Sequence, residues 1–243
     1  MPLVVVIGLV WKSIFPIYLV VAILALLTVF VLKIEEPSEE TKPHQASLKS
    51  SFQLLFGEKY VLMMVLGIFL YVGAELGMNS WISTHLETEF RLDINTIATL
   101  GIGFFLIALA VERLLGTVLH HYISPKTHFL ITSVFGFVGV LGTFINSEWV
   151  VIGSIILAGL TFGNIFPTIF SLLIEYMPDR SSEFSGLMVM AIFVGVIVPP
   201  VMGFIVEISI QLGFVVPALI LLYTTFLAVR TRKMTFLENT RKN

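Results

Sequence analysis

The sequence predicts an all-α fold, a polytopic membrane helical bundle with seven transmembrane helices. Of its 243 residues, 57% are hydrophobic and only 12% are charged, and the mean hydropathy is +0.98. Soluble domains average about 25% charged residues, so this composition is typical of a membrane protein. Seven apolar runs also approach the roughly 20 residues that a helix needs to cross a bilayer.

Each predicted helix is a run of apolar residues between more polar connections. Six of the seven runs contain no charged residue, and the second contains Glu75 alone. Every connection between them contains at least one charged residue, which marks where the chain leaves the hydrocarbon layer. In chain order, the helices are predicted at Ile14–Leu32, Tyr60–Ser83, Ile94–Val111, Phe129–Ile145, Trp149–Ile174, Phe184–Val206 and Leu212–Val229.

The hydrophilic segment Lys33–Lys59 divides the chain. It opens with the Pro- and Glu-containing sequence IEEPSEETKPHQ, which is too polar to be buried and is interpreted as a cytoplasmic linker. The apolar segment Pro2–Val10 is too short to span a bilayer and lacks the features of a signal peptide, so we interpret it as the tail of a helix. The predicted segments are 1–32 (a helix tail and one transmembrane helix), 33–59 (the linker), 60–229 (a six-helix bundle) and 230–243 (a basic cytoplasmic tail).

The positions of lysine and arginine predict the orientation. Twelve of the fourteen Lys and Arg residues fall on one side of the predicted membrane, and only Lys12 and Arg91 fall on the other. Because short cytoplasmic loops are enriched in Lys and Arg, the first side is predicted to be cytoplasmic. The N-terminus is therefore expected outside and the C-terminus inside.

The end of the third predicted helix carries a motif. The sequence ERLLGTVLHHYISPK begins at Glu112, and its Arg113 and Gly116 resemble the Gly-Arg-x-x-Gly helix end of transporters of the major facilitator superfamily. Glu112 replaces the usual glycine, and His120 and His121 replace the Asp and Arg of that superfamily's loop signature. The resemblance implies a gating role for Arg113 and Gly116. It also implies that the six helices after the linker form the second half of a twelve-helix transporter.

Further segments resemble the fucose/glucose/galactose proton-symporter branch of that superfamily. They include a Phe-Pro-Thr-Ile-Phe-Ser sequence and a Gly-x-x-x-Pro-x-x-x-Gly helix that begins at Gly195. The resemblance implies a permease for a monosaccharide driven by protons, surrounded by membrane lipid in a plasma or bacterial inner membrane. An N-terminal half is then the expected partner. The three segments are Tyr71–Leu86, Gly163–Met177 and Ser185–Ile205.

A polar stripe on the second helix is the first candidate site. Tyr71, Glu75 and Asn79 follow one another at four-residue steps and therefore share one helix face. Burial disfavours the ionised form of a carboxylate, so Glu75 could exchange a proton during coupled transport. Alternatively, Glu75 bonds a neighbouring helix or faces an outer vestibule, because it lies about 22 Å along the helix from Tyr60.

The fifth helix carries a second stripe, in which Asn164 and Thr168 are candidate sugar-binding residues. Hydroxyls and amides bind sugar hydroxyls, and the rings of Phe162 and Phe166 could lie under apolar sugar faces. Pro167 has no N–H and leaves the carbonyl of Gly163 without its helical donor. The alternative for these polar side chains, and for Thr161 and Ser171 in the same stripe, is ordinary interhelical hydrogen bonding.

The sequence contains no pattern that predicts an enzyme, a cofactor site or a nucleic-acid partner. It has no cysteine, and its five histidines do not occur at the helical i, i+4 spacing of a metal pair. Gly136, Gly139 and Gly142 instead form a small-residue face that predicts close helix packing. Two alternatives to a sugar transporter stay open: a truncated or split half-transporter without activity of its own, and a seven-helix receptor.

Overall fold

The computed structural model describes residues 14–31, 47–93 and 97–242 as helices and the short turns between them. The chain forms two units, residues 1–43 and 44–243. In the first unit, α1 (Ile14–Val31) contains no charged residue. Leu32, the segment Pro2–Val10 and most of the predicted linker lie outside the described residues.

The second unit contains ten α-helices within its described residues. They are α2 (Leu48–Gly57), α3 (Lys59–Phe90), α4 (Ile97–Leu119), α5 (Pro125–Gly142), α6 (Glu148–Phe162), α7 (Ile165–Tyr176), α8 (Ser181–Gly195), α9 (Val198–Val206), α10 (Ile210–Gly213) and α11 (Val215–Lys242). A 3₁₀ turn at Pro178–Arg180 joins α7 to α8.

Five helical segments in the described part of the chain are long and apolar enough to cross a membrane. The predicted count of seven is therefore supported for five spans. α1 contributes only the shorter apolar stretch Phe15–Thr28, and α5 begins with the polar sequence PKTH, which lowers its hydropathy. The five spans are Lys59–Phe90, Leu100–Leu119, Glu148–Tyr176, Pro178–Val206 and Ile210–Lys233.

Two helices extend well beyond their predicted ends. α3 continues from Ser83 to Phe90, so Glu75 lies near the middle of its length rather than toward one end. α4 continues from Val111 to Leu119. The prediction used apolarity as its only criterion, so it left out these polar helix ends. Helical backbone hydrogen bonds form within the helix itself and do not require apolar side chains, so both helices continue through these ends.

The predicted linker contains a helix that the hydropathy pattern did not indicate. α2 begins with a capping box, in which the Ser47 hydroxyl accepts from the backbone N–H of Ser50 and the Ser50 hydroxyl accepts from that of Ser47. Ser51 and Leu54 are buried, and α2 packs against α3 and α8. The end of the linker is therefore part of the folded bundle.

The helix α3 forms the centre of the second unit. It contacts α2, α4 and each helix from α6 to α11, and its Tyr71, Ile68 and Met78 are fully buried. The predicted glycine face on α5 packs against α6, where a Cβ at Gly139 would lie 2.9 Å from the backbone nitrogen of Ala158. This close packing joins α5 to α6, and α6 in turn contacts both α4 and α3.

Candidate functional site

The break between α6 and α7 is the structural basis of the candidate site. α6 ends at Phe162 and α7 begins at Ile165, so the predicted single helix is two helices joined by a short turn. Pro167 has no N–H to give to the carbonyl of Gly163. Nε of Arg113 donates to that carbonyl at 3.3 Å instead. An arginine on α4 therefore supports the backbone where the helix is broken.

Tyr71 and Glu75 approach the same break from α3. The Tyr71 hydroxyl lies 2.5 Å from the carbonyl oxygen of Phe162 and 2.7 Å from Oε2 of Glu75. The other carboxylate oxygen of Glu75 lies 3.5 Å from Nη2 of Arg113. We call Tyr71, Glu75, Arg113 and the Phe162–Gly163 backbone the junction cluster; it joins α3, α4 and α6.

The number of hydrogens available in the junction cluster determines which of its hydrogen bonds can form at the same time. A tyrosine hydroxyl has one hydrogen, so Tyr71 can donate to either Glu75 or Phe162 but not to both. If Glu75 is protonated, its O–H can donate to Tyr71 while Tyr71 donates to the Phe162 carbonyl. If Glu75 is ionised, Arg113 provides the opposite charge. The cluster therefore has a suitable partner for each protonation state of Glu75.

The other predicted site residues differ in their burial, ring contacts and hydrogen bonds. The ring of Phe162 is fully buried between Tyr71 and Phe105, whose ring centroids each lie 5.7 Å away. Phe166 is half-buried and stacks on Phe170, at 6.4 Å. Thr168 is buried and its hydroxyl has no hydrogen-bond partner among the described residues; the same holds for the amide oxygen of Asn79. The structure therefore brings Tyr71, Glu75 and Phe162 together, and places Asn79, Phe166 and Thr168 outside the junction cluster.

Asn164 has a defined interhelical role. Its Nδ2 donates to the backbone carbonyl of Glu112 at 2.8 Å. Gly116 makes this contact possible, because a Cβ there would collide with the Asn164 amide. The predicted motif residue and the predicted binding residue thus hold α4 against the start of α7.

Three titratable side chains form a row that the sequence did not identify. Oε1 of the buried Glu112 lies 3.4 Å from Nε2 of His128, and Nδ1 of His128 lies 3.0 Å from Nε2 of His120. Burial, and then the nearby His128, lower the pKa of His120. The signal that could have revealed the pair is the Ser-Pro turn at Ser124, since His120 precedes it and His128 follows it.

No group of three or more metal-ligating side chains suited to a metal ion occurs within residues 14–31, 47–93 and 97–242. In the row from Glu112 to His120, the two facing histidine nitrogens lie within hydrogen-bond distance of each other.

A sequence model described as the Major Facilitator Superfamily matches residues 1–198 and, in a second overlapping match, residues 86–242. The chain belongs to the major facilitator superfamily. As a member of this superfamily it is an integral membrane protein, and its relatives are transporters rather than enzymes. The seven-helix receptor is thereby set aside.

Curated relatives of this superfamily member carry names of sugar transporters. It is 28% identical over 220 residues to a putative glucose/galactose transporter of Helicobacter pylori, covering 88% of this chain and 53% of that protein. It is 25% identical over 211 residues to a glucose/galactose transporter of Brucella abortus, covering 86% and 51%. A third relative, an L-fucose-proton symporter of Haemophilus influenzae, is 28% identical over 141 residues, covering 56% and 32%.

A solved structure confirms the fold. The crystal structure of the major facilitator transporter FucP in the outward conformation matches with a TM-score of 0.76 and 22% identity, covering 89% of this chain and 54% of FucP. The chain thus spans about half the length of the curated relatives and of the solved structure that it matches.

Proposed function

We propose that this chain is the C-terminal portion of a secondary transporter that moves a sugar of the glucose, galactose or fucose class together with a proton. The names of the relatives support the sugar class. The observation that carries the proton is the junction cluster, where a carboxyl group within an apolar helix has one partner for its protonated form and another for its ionised form.

The two partners of Glu75 also bond to the backbone of the α6–α7 junction, and these bonds couple protonation of Glu75 to that junction. Tyr71 also contacts the carbonyl of Phe162, and Arg113 also donates to the carbonyl of Gly163. A proton that arrives at Glu75 weakens its pairing with Arg113 and changes which oxygen Tyr71 donates to. Both changes act on the α6–α7 junction. Protonation can therefore bias the position of α7, as alternating access requires.

Sugar recognition falls to the polar and aromatic side chains around the junction. Tyr71, Glu75, Asn79, Asn164, Phe162, Phe166 and Thr168 are the proposed binding residues of this half. The oxygens of Asn79 and Thr168 have unused hydrogen-bonding capacity, and each fits a sugar hydroxyl when the helices separate. Arg113 and Gly116 act in gating, because both fix the contact of α4 with the α6–α7 junction.

The proposed assembly has an N-terminal half. Substrate sites in this superfamily lie between two six-helix halves near the bilayer midplane. In this arrangement α1 and α5 are also spans, which gives seven crossings, with the C-terminus in the cytoplasm and lipid around the bundle. The second candidate is a half-transporter without activity of its own, and the uptake experiment distinguishes it from the first.

Uptake of labelled sugars tests the proposal. The chain would be expressed in a bacterial host without hexose permeases, alone and together with any in-frame segment encoded upstream of Met1. We expect accumulation of glucose, galactose or fucose by the longer product, and collapse of that accumulation by a protonophore. The chain alone is expected to accumulate none of them.

Different outcomes of this experiment test sugar transport and proton symport separately. Accumulation that resists the protonophore would contradict proton symport but not sugar transport. If neither product accumulates or exchanges any of the three sugars, the half-transporter without activity is the better interpretation.

A further inference from the structure

The row of Glu112, His128 and His120 runs from the interior of the bundle to its surface. Glu112 and His128 are 4% and 3% exposed, whereas His120 is half-buried at the end of α4. The two imidazole rings meet edge to face, with centroids 4.9 Å apart. The proposed function does not use any of these three side chains.

The inner end of the row is a proton acceptor. Neither carboxylate oxygen of Glu112 has a hydrogen-bond donor of good geometry among the described residues, and Nε2 of His128 lies 3.4 Å from Oε1. An isolated buried carboxylate is costly, and so is a buried imidazolium without a partner. Binding of one proton by this pair lowers both costs, so the ionised Glu112 carboxylate can act as the final acceptor of a proton that enters the row.

The geometry of the rings allows that proton to move. With Nε2–H of His128 directed at Glu112, the other nitrogen of His128, Nδ1, accepts from Nε2–H of His120. A proton that binds Nδ1 of His120 releases the Nε2 proton to His128, and His128 releases its own Nε2 proton to Glu112. Only N–H and O–H bonds form and break, and the net change is one proton moved inward by three groups.

The row ends at the junction cluster. A Cβ at Gly163 would collide with Oε2 of Glu112, so the carboxyl group lies directly against the residue whose carbonyl binds Arg113. Glu112 and Glu75 therefore approach the α6–α7 junction from different helices, and Arg113, the neighbour of Glu112, pairs with Glu75.

We infer that Glu112, His128 and His120 form a second proton-binding site, a relay that passes protons between the end of the bundle where α4 meets α5 and the Glu112 carboxyl group beside the α6–α7 junction. This role rests on the proposed function, in which that end faces the cytoplasm and Glu75 exchanges protons during transport.

Other charged groups near the row have partners of their own. Arg113 pairs with Glu75, and Lys126 on α5 lies 3.8 Å from Glu175 on α7. The amide of Asn164 binds the backbone of Glu112, not its carboxylate. His121 is exposed and its charge opposes protonation of His120. Glu112 is thus the carboxylate whose charge favours the protonated form of His120.

Histidine titration by NMR tests the relay in the full chain, reconstituted in lipid nanodiscs with labelled imidazoles. We expect the ring signals of His120 and His128 to change together with pH, because hydrogen-bonded titratable groups are coupled. Glu112→Gln removes the charge that favours protonated His120. The midpoint of the His120 titration should then move to lower pH, because the negative charge of Glu112 raises the pKa of His120.

Glu175→Gln is the matched control, because it removes the same charge at the same end from an exposed side chain. It is expected to leave the His120 midpoint within about 0.3 pH units of the wild type. Independent titration of the two histidines, or equal effects of the two variants, would overturn the relay. If Glu112→Gln does not fold, His120→Gln serves instead, and an unchanged His128 titration in that variant would overturn it.

This measurement needs no sugar, so its failure is distinct from failure of the proposed function. In the complete transporter, His128→Gln is expected to slow proton-coupled sugar uptake at least about tenfold, as does loss of one proton-transfer group in many enzymes. Sugar exchange at equal pH should persist. Unchanged coupled uptake in that variant would also overturn the relay.

Discussion

Replacing Glu75 by glutamine is expected to abolish proton-driven accumulation of sugar by the complete transporter while sparing sugar exchange. Glutamine keeps the shape of a protonated glutamic acid and still bonds Tyr71, but it cannot release a proton. The junction cluster is then fixed in the arrangement of the protonated state, without the Arg113 pairing at 3.5 Å that the ionised carboxylate provides. Exchange of sugar for sugar needs no release of the proton and therefore continues.

Two transport assays on the same vesicles measure this effect. Accumulation against a gradient, driven by an imposed pH difference, should fall to the level reached by diffusion, a loss of at least about a hundredfold in rate if deprotonation is obligatory. Counterflow of labelled sugar should stay within about threefold of the wild type. Glu87→Gln is the matched control, because Glu87 is exposed on the same helix. Retained accumulation in Glu75→Gln would assign Glu75 a structural role.

Replacing Gly159 by alanine is expected to produce the largest loss of stability among single methyl additions in α6. A Cβ at Gly159 would lie 2.5 Å from the backbone oxygen of Phe105 and 2.8 Å from Cβ of Ala108, both on α4. Because the closest atom belongs to the backbone, no side-chain rotation relieves the overlap. The helices α4 and α6 must separate, at a cost of about 1–3 kcal/mol.

Gly153 offers a control on the same helix. A Cβ at Gly153 has no heavy atom within 4 Å, so Gly153→Ala adds a methyl group without overlap. Thermal unfolding in detergent should show a lower Tm for Gly159→Ala, whereas Gly153→Ala should match or slightly exceed the wild type, since alanine is the better helix former. Equal melting temperatures for the two variants would contradict the close α4–α6 packing.

The local sequence predicted the parts of the candidate site that lie within one helix. The four-residue spacing of Tyr71 and Glu75 predicted a shared face, and the two side chains are hydrogen-bonded at 2.7 Å. The missing N–H of Pro167 predicted a free carbonyl at Gly163, and that carbonyl accepts from Arg113. Helical periodicity and proline chemistry are local properties, so a single sequence contains them.

Contacts between helices could not be predicted in the same way. The pairing of Glu75 with Arg113, and of Glu112 with His128, depends on how α3, α4 and α5 are rotated and offset against one another. That register is set by close contacts such as those of Gly116 with Asn164, which appear only in the packed bundle. The sequence accordingly identified Arg113 as a motif residue but not as the partner of Glu75.

The helix α2 was missed for a different reason. Its ten residues are too short a stretch to span a bilayer, and the hydrophilic segment before it hides the amphipathic pattern. The signal was the pair Ser47 and Ser50, whose reciprocal hydrogen bonds cap the helix. A search for caps, rather than for hydropathy, would have predicted an ordered end to the linker.

Sugar-induced proton movement tests the central claim most directly. De-energised membrane vesicles that contain the complete transporter would be suspended in weakly buffered medium, and the external pH followed after addition of glucose, galactose or fucose. The account predicts that one of these sugars makes the medium more alkaline, and that Glu75→Gln abolishes the change while Glu87→Gln does not. Entry of the sugar with no change in external pH would contradict it.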